Sequence, residues 1–121
     1  MPLHRSFIFD LGALFVFAIA ARAAHPPFTL AGLIDAWWPW TLGLLIGWTI
    51  IATTKLKAAS IFAQGLTAWV AAIALGMTAW TLVNGQVPHY SFLIVAATMS
   101  ALLMFGWRFT TTLIHKKRDR T

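Results

Sequence analysis

Residues 35–48 read DAWWPWTLGLLIGW. A carboxylate, three tryptophans and a proline stand at the head of a run that is otherwise almost unbroken hydrocarbon. That order suits a segment passing from a polar surface into lipid, with charge and indole rings at the boundary and aliphatic residues within.

Composition supports the same environment for the whole chain. Its 121 residues are 60% hydrophobic and 10% charged, with mean hydropathy +0.77. Soluble domains run at roughly 45–50% and about 25%. A small domain has too little interior to hide so much apolar surface from water, so lipid is part of the solvent. With no cysteine, disulfides, thiolate metal sites and a cysteine nucleophile are excluded. The net charge of +6 sits mainly at the chain ends and in one short turn. That placement fits flanks facing anionic lipid rather than a nucleic-acid interface, which needs an extended basic face.

Outward from residues 35–48, the chain divides into four apolar segments of the length a helix needs to cross a bilayer. They cover about 7–24, 36–53, 60–83 and 91–114. His25-Pro26-Pro27 interrupts after the first, Lys55-Leu56-Lys57 after the second, and Asn84 to Pro88 after the third. The expected architecture is all-α: one integral membrane domain over 1–121, a four-helix bundle. Arg5, Lys55, Lys57, Lys116, Lys117, Arg118 and Arg120 fall on one side of the spans and Arg22 on the other. By the positive-inside rule both termini are cytoplasmic. Arg5, an apolar stretch and Ala21-Arg22-Ala23 also have the outline of a secretory signal, but Asp10 interrupts the apolar part, which favours an uncleaved first helix.

In this topology Asp35 to Trp40 enters the membrane from outside. Asp35 is expected to cap the second helix and complement its dipole, with Pro39 in or near the first turn. Trp37, Trp38 and Trp40, with Trp80 and Tyr90, form an expected aromatic belt; a ligand-stacking pocket is the alternative. Helix packing should use small residues: Gly43 and Gly47 on the second helix, Ala68, Ala72 and Gly76 on the third. Thr67 and Thr78 are available for bonds between helices. Leu44-Leu45-Ile46-Gly47-Trp48 is echoed by Leu103-Met104-Phe105-Gly106-Trp107, a faint sign of two similar hairpins.

Charges inside spans cost about 2.5–3.5 kcal/mol each on insertion scales, so they need partners. Asp10 in the first helix and Arg108 in the fourth lie at similar depth near the cytoplasmic side, and an ion pair between them is expected. Three readings stay open: a structural clasp, a protonatable carrier at Asp10, or an arginine that snorkels while Asp10 caps its helix. On the outer side Arg22, His25, Asp35 and His89 form a polar cluster, with an Arg22–Asp35 pair expected. Their spacing matches no metal motif, so no metal and no cofactor is assigned. Catalytic motifs are missing: no G-x-S-x-G, H-E-x-x-H, P-loop or G-x-G-x-x-G occurs.

These residues together resemble a family of small prokaryotic membrane proteins, frequent in actinobacteria, known as domain of unknown function 3054. The matching elements are Asp10, Arg22 with His25, Asp35 with Trp38-Pro39, Gly47-Trp48, Gly65 to Trp69, Gly76-Met77, Ser91-Phe92 and Gly106-Trp107-Arg108. The resemblance implies a four-span protein, expected in the bacterial plasma membrane, and supplies no activity. Two functions are therefore weighed. One is a structural, accessory or self-associating bundle without catalysis of its own. Its partners would be the lipid bilayer and either further copies or a larger membrane complex, with no nucleic acid. The other is a small oligomeric transporter or channel that uses Asp10 as a coupling acid.

Overall fold

In lipid every backbone donor and acceptor must be paired within the chain, and a helix does this segment by segment. The computed structural model describes residues 3–23, 29–87 and 90–119. It contains α1 (Leu3–Ala23), α2 (Leu30–Thr53), a short 3-10 turn (Lys55–Ala58), α3 (Ile61–Asn84) and α4 (Tyr90–Asp119). All four helices are long and apolar enough to cross a membrane, and among the described residues there is no strand.

Helix ends explain where the spans depart from expectation. Helix α2 begins at Leu30, not near Ala36, because Thr29 caps it: its Oγ1 accepts the Gly32 N–H at 3.0 Å. The Thr29 carbonyl also accepts the Leu33 N–H at 3.0 Å. Asp35 is therefore not the cap; it lies in the second turn and is exposed. Pro39 is likewise well inside α2 and buried, where it removes the bond that the Asp35 carbonyl would otherwise accept. Ser60 caps α3 through a 3.2 Å bond from the Ala63 N–H. At its other end Gly85 takes φ 70°, a conformation glycine adopts without penalty, and its N–H closes on the Thr81 carbonyl at 2.8 Å.

The helices pack neighbour to neighbour, α1 on α2, α2 on α3, α3 on α4, and α4 back on α1, with α2–α3 the most extensive seam. That seam is glycine on alanine. A Cβ on Gly43 would stand 2.7 Å from the Ala71 carbonyl oxygen and 2.8 Å from Ala72 Cα, and one on Gly47 would stand 2.7 Å from Ala71 Cβ. Gly76 meets the Trp40 ring, 2.9 Å from such a Cβ. The small residues Gly43, Gly47, Ala68, Ala72 and Gly76 are thus brought together in one interface, as close packing in lipid requires.

Leu14, Phe17, Leu44, Trp48, Ile51 and Met104 fill the centre. Ile8, Ile50, Leu66, Val70 and Leu102 face outward, an arrangement suited to hydrocarbon as the surrounding solvent. Trp40 also belongs to the centre, 3% exposed, with its ring edge-to-face on Phe17 at 5.8 Å. It is therefore not part of an interfacial belt; the early start of α2 carries it three turns into the bundle. Trp37 is half-buried against Phe15 at 5.0 Å, Trp38 and Trp80 are half-buried and Tyr90 is exposed. Thr67 and Thr78 do not bond between helices but return to their own, on the Ala63 carbonyl at 3.0 Å and the Ala74 carbonyl at 2.7 Å. Instead Trp69 Nε1 links α3 to α4, donating to Ser100 Oγ at 3.1 Å.

Candidate functional site

Asp10 lies in the third turn of α1 and Arg108 two-thirds along α4, both at the end of the bundle that holds the termini. Both side chains are 0% exposed. Arg108 meets the carboxylate with both terminal nitrogens, Nη1 to Oδ1 at 2.6 Å and Nη2 to Oδ2 at 2.7 Å. This two-pronged geometry is the strongest arrangement a guanidinium and a carboxylate can form. Two indoles complete it: Trp48 Nε1 donates to Oδ2 at 2.9 Å and Trp107 Nε1 to Oδ1 at 2.9 Å. Each carboxylate oxygen accepts two hydrogen bonds.

The arginine is satisfied from its other side. Its Nε donates to the Ile61 carbonyl at 2.8 Å, and Nη1 also reaches the Met104 carbonyl at 3.0 Å. Ile61 is the first residue of α3, and its carbonyl oxygen takes the Nε donor on the second of its two lone pairs, beside the helix's own bonding. The guanidinium carbon also lies 4.3 Å from the centre of the Trp107 ring, within cation–π range. Gly65 makes room for it, since a Cβ there would stand 2.5 Å from Arg108 Nε. All four helices contribute: Asp10 from α1, Trp48 from α2, Ile61 and Gly65 from α3, Trp107 and Arg108 from α4. Just below, Gln64 Nε2 holds the 3-10 turn through the Leu56 and Lys57 carbonyls at 3.1 and 3.2 Å.

Sequence reasoning identified the two charges but missed the indoles and Gly65. The signal for the indoles was present in the repeated Gly-Trp dipeptides, whose tryptophans grip opposite oxygens of one carboxylate. For Gly65 no local pattern existed, because its function depends on a side chain 43 positions away in sequence (108 − 65).

The indole contribution is measurable. Trp107→Phe keeps a ring beneath the guanidinium while deleting one donor to Asp10, and Trp48→Phe deletes the other. A hydrogen bond to a charged group contributes about 1.5–3 kcal/mol, so each variant should lose that much in reversible unfolding in mixed micelles. A loss no greater than that of an outward-facing Phe109→Leu control would mean that the indoles do not hold the carboxylate.

At the opposite end the expected outer cluster is not assembled. Asp35 is exposed, and no ion pair within 4.0 Å joins it to Arg22 among the described residues. Arg22 instead lies over Gly32, and its Nε is buried without a hydrogen-bond partner. The early start of α2 is the reason, since it puts Gly32 rather than Asp35 beside the end of α1. His25 and His89 lie outside the described residues.

Four helices long and apolar enough to cross a membrane, with an ion pair buried where they meet, are the architecture of a four-span membrane protein. Within that class, the chain belongs to the family described as protein of unknown function (DUF3054), whose profile matches residues 7–111. The match spans the whole site from Asp10 to Arg108. No curated protein and no solved structure matches the chain.

Proposed function

We propose that this chain is a structural or accessory bundle of the bacterial plasma membrane, associating with copies of itself or with a larger membrane complex and having no catalysis of its own. The observation that carries this reading is the occupancy of its buried charges. Among the described residues the buried ionisable side chains are Asp10 and Arg108, and each uses the other as its main partner. A carrier carboxylate needs an open side from which a proton or ion arrives and leaves. Here any such arrival must displace a guanidinium or an indole donor. The cationic residues Arg5, Lys55, Lys57, Lys116 and Lys117 share the end where both termini lie, which supports an orientation with both termini in the cytoplasm. The lipid-facing aliphatic surface is the part left to meet partners.

Two measurements on one preparation test the reading. Native mass spectrometry from mild detergent should release a defined oligomer or a complex with another membrane protein. Proteoliposomes carrying a pH or salt gradient should show the same flux with the natural chain, with Asp10→Asn and with no protein. Flux that needs the natural chain would instead support the small oligomeric transporter, and its loss in Asp10→Asn protein shown to be folded in the same liposomes would assign Asp10 as the coupling acid.

A further inference from the structure

Two arginines of this bundle lie flat on a glycine of another helix. A Cβ on Gly65 would stand 2.5 Å from Arg108 Nε and 2.8 Å from Cζ; one on Gly32 would stand 2.5 Å from Arg22 Nη2 and 2.9 Å from both Nε and Cζ. The first cradle is complete, because Asp10 supplies the anion. The second lacks one. Among the described residues no acceptor meets Arg22, and its Nε is shielded and unpartnered. A second orphaned donor lies on the same α1–α2 seam. Trp37 Nε1 is buried without a partner, and its ring stands on Phe15 of α1.

A shielded donor without an acceptor is costly, and a cation more so. Packing on Gly32 seats the half-buried Arg22, and among the described residues no anion balances its charge. We propose that this seam binds a phosphate-bearing lipid headgroup, with the Arg22 guanidinium over Gly32 as the anchor for the phosphate oxyanion and the Trp37 indole as a donor to a deeper oxygen of the same molecule. The planar fork of a guanidinium matches two oxygens of one phosphate. Arg22 closes a membrane-length helix, which is the depth of lipid headgroups. Phe15 and Arg22 are seven residues apart, about 10 Å along α1. Donors spread over that depth match the phosphate and the deeper ester carbonyls of one glycerophospholipid. A free phosphate would engage Arg22 by the same chemistry.

The test uses the full chain, nitrogen-15 labelled, in detergent micelles. Phosphatidylglycerol is titrated in one series and inorganic phosphate in another, following the Arg22 Nε–H and the Trp37 indole resonances. Phosphatidylglycerol should move both, saturably. Arg22→Gln, and Gly32→Ala, which lifts the guanidinium off α2, should weaken the response at Trp37 by about 10- to 100-fold in apparent affinity. The Trp48 and Trp107 indole resonances on Asp10 should stay in place in both variants, showing that the bundle is intact. Movement with phosphatidylglycerol alone assigns the site to a lipid headgroup, and movement with both ligands to a cradle open to free oxyanions as well. If neither ligand moves the Arg22 resonance, or if Arg22→Gln leaves the Trp37 response unchanged, the proposal is overturned.

Discussion

Asp10→Asn should cost this protein about 3–5 kcal/mol, the usual penalty for removing one partner of a buried ion pair. The size follows from what is left behind. Arg108 stays buried and cationic, and the asparagine amide turns a donor towards a site that already holds two guanidinium nitrogens and two indoles. One oxygen must then serve donors that two charged oxygens served before. Against a total stability of about 5–15 kcal/mol, that loss moves a measurable fraction of molecules to the unfolded state. Arg108→Met should be similarly damaging alone, because it strands the carboxylate. Asp10→Asn combined with Arg108→Met should lose less than the sum of the two, since no unpaired charge remains. Reversible unfolding in mixed micelles checks all three. Additive losses, or single losses under about 1 kcal/mol, would mean that the contact contributes little.

Gly43→Val should be the most disruptive apolar substitution. The new Cβ would meet the Ala71 carbonyl oxygen at 2.7 Å and Ala72 Cα at 2.8 Å, which are backbone atoms of α3. Neither can rotate away, so the helices must separate, and the neighbouring contact of Gly47 on Ala71 is lost with them. Overpacking of a close-fitting interior costs about 1–3 kcal/mol and occasionally more. Lipid offers no hydrophobic force to compensate for the lost contacts. Gly106→Ala and Gly12→Ala are the controls, because nothing lies within 4 Å of a Cβ at either position. Both should fall within about 0.5 kcal/mol of the parent, with helix propensity slightly favouring alanine. A Gly43→Val protein as stable as the Gly106→Ala protein would contradict the α2–α3 seam.

The contrast between these glycines shows what the sequence disclosed. Four spans and their approximate limits were legible because membrane length and hydropathy are properties of continuous segments. The Gly43–Gly47 spacing pointed to a helix seam, and the facing alanines of α3 were legible as small-residue spacing, though their pairing was not. Depth arithmetic along α1 and α4 suggested that Asp10 and Arg108 share a level. What lay beyond reach depended on rotation about each helix axis. Whether Trp48 and Trp107 point to lipid or to Asp10, and whether Gly65 or Gly106 faces a neighbour, is decided by packing over the whole bundle. The start of α2 was misplaced for a different reason. Asp35 and its tryptophans have the composition of a helix entrance, but Thr29 caps α2 six residues earlier (35 − 29), which carries Trp40 into the centre and puts Gly32 beside Arg22.

The most direct test is a distance between two labelled side chains in a bilayer. With carbon-13 at the Asp10 carboxyl and nitrogen-15 at the Arg108 guanidinium, magic-angle-spinning NMR of the natural chain in lipid should detect a strong dipolar coupling, from contacts of 2.6 and 2.7 Å between oxygen and nitrogen. The same coupling should vanish in Arg108→Met. A coupling too weak for direct contact would leave α1 and α4 without their common anchor and would refute a bundle closed around one carboxylate.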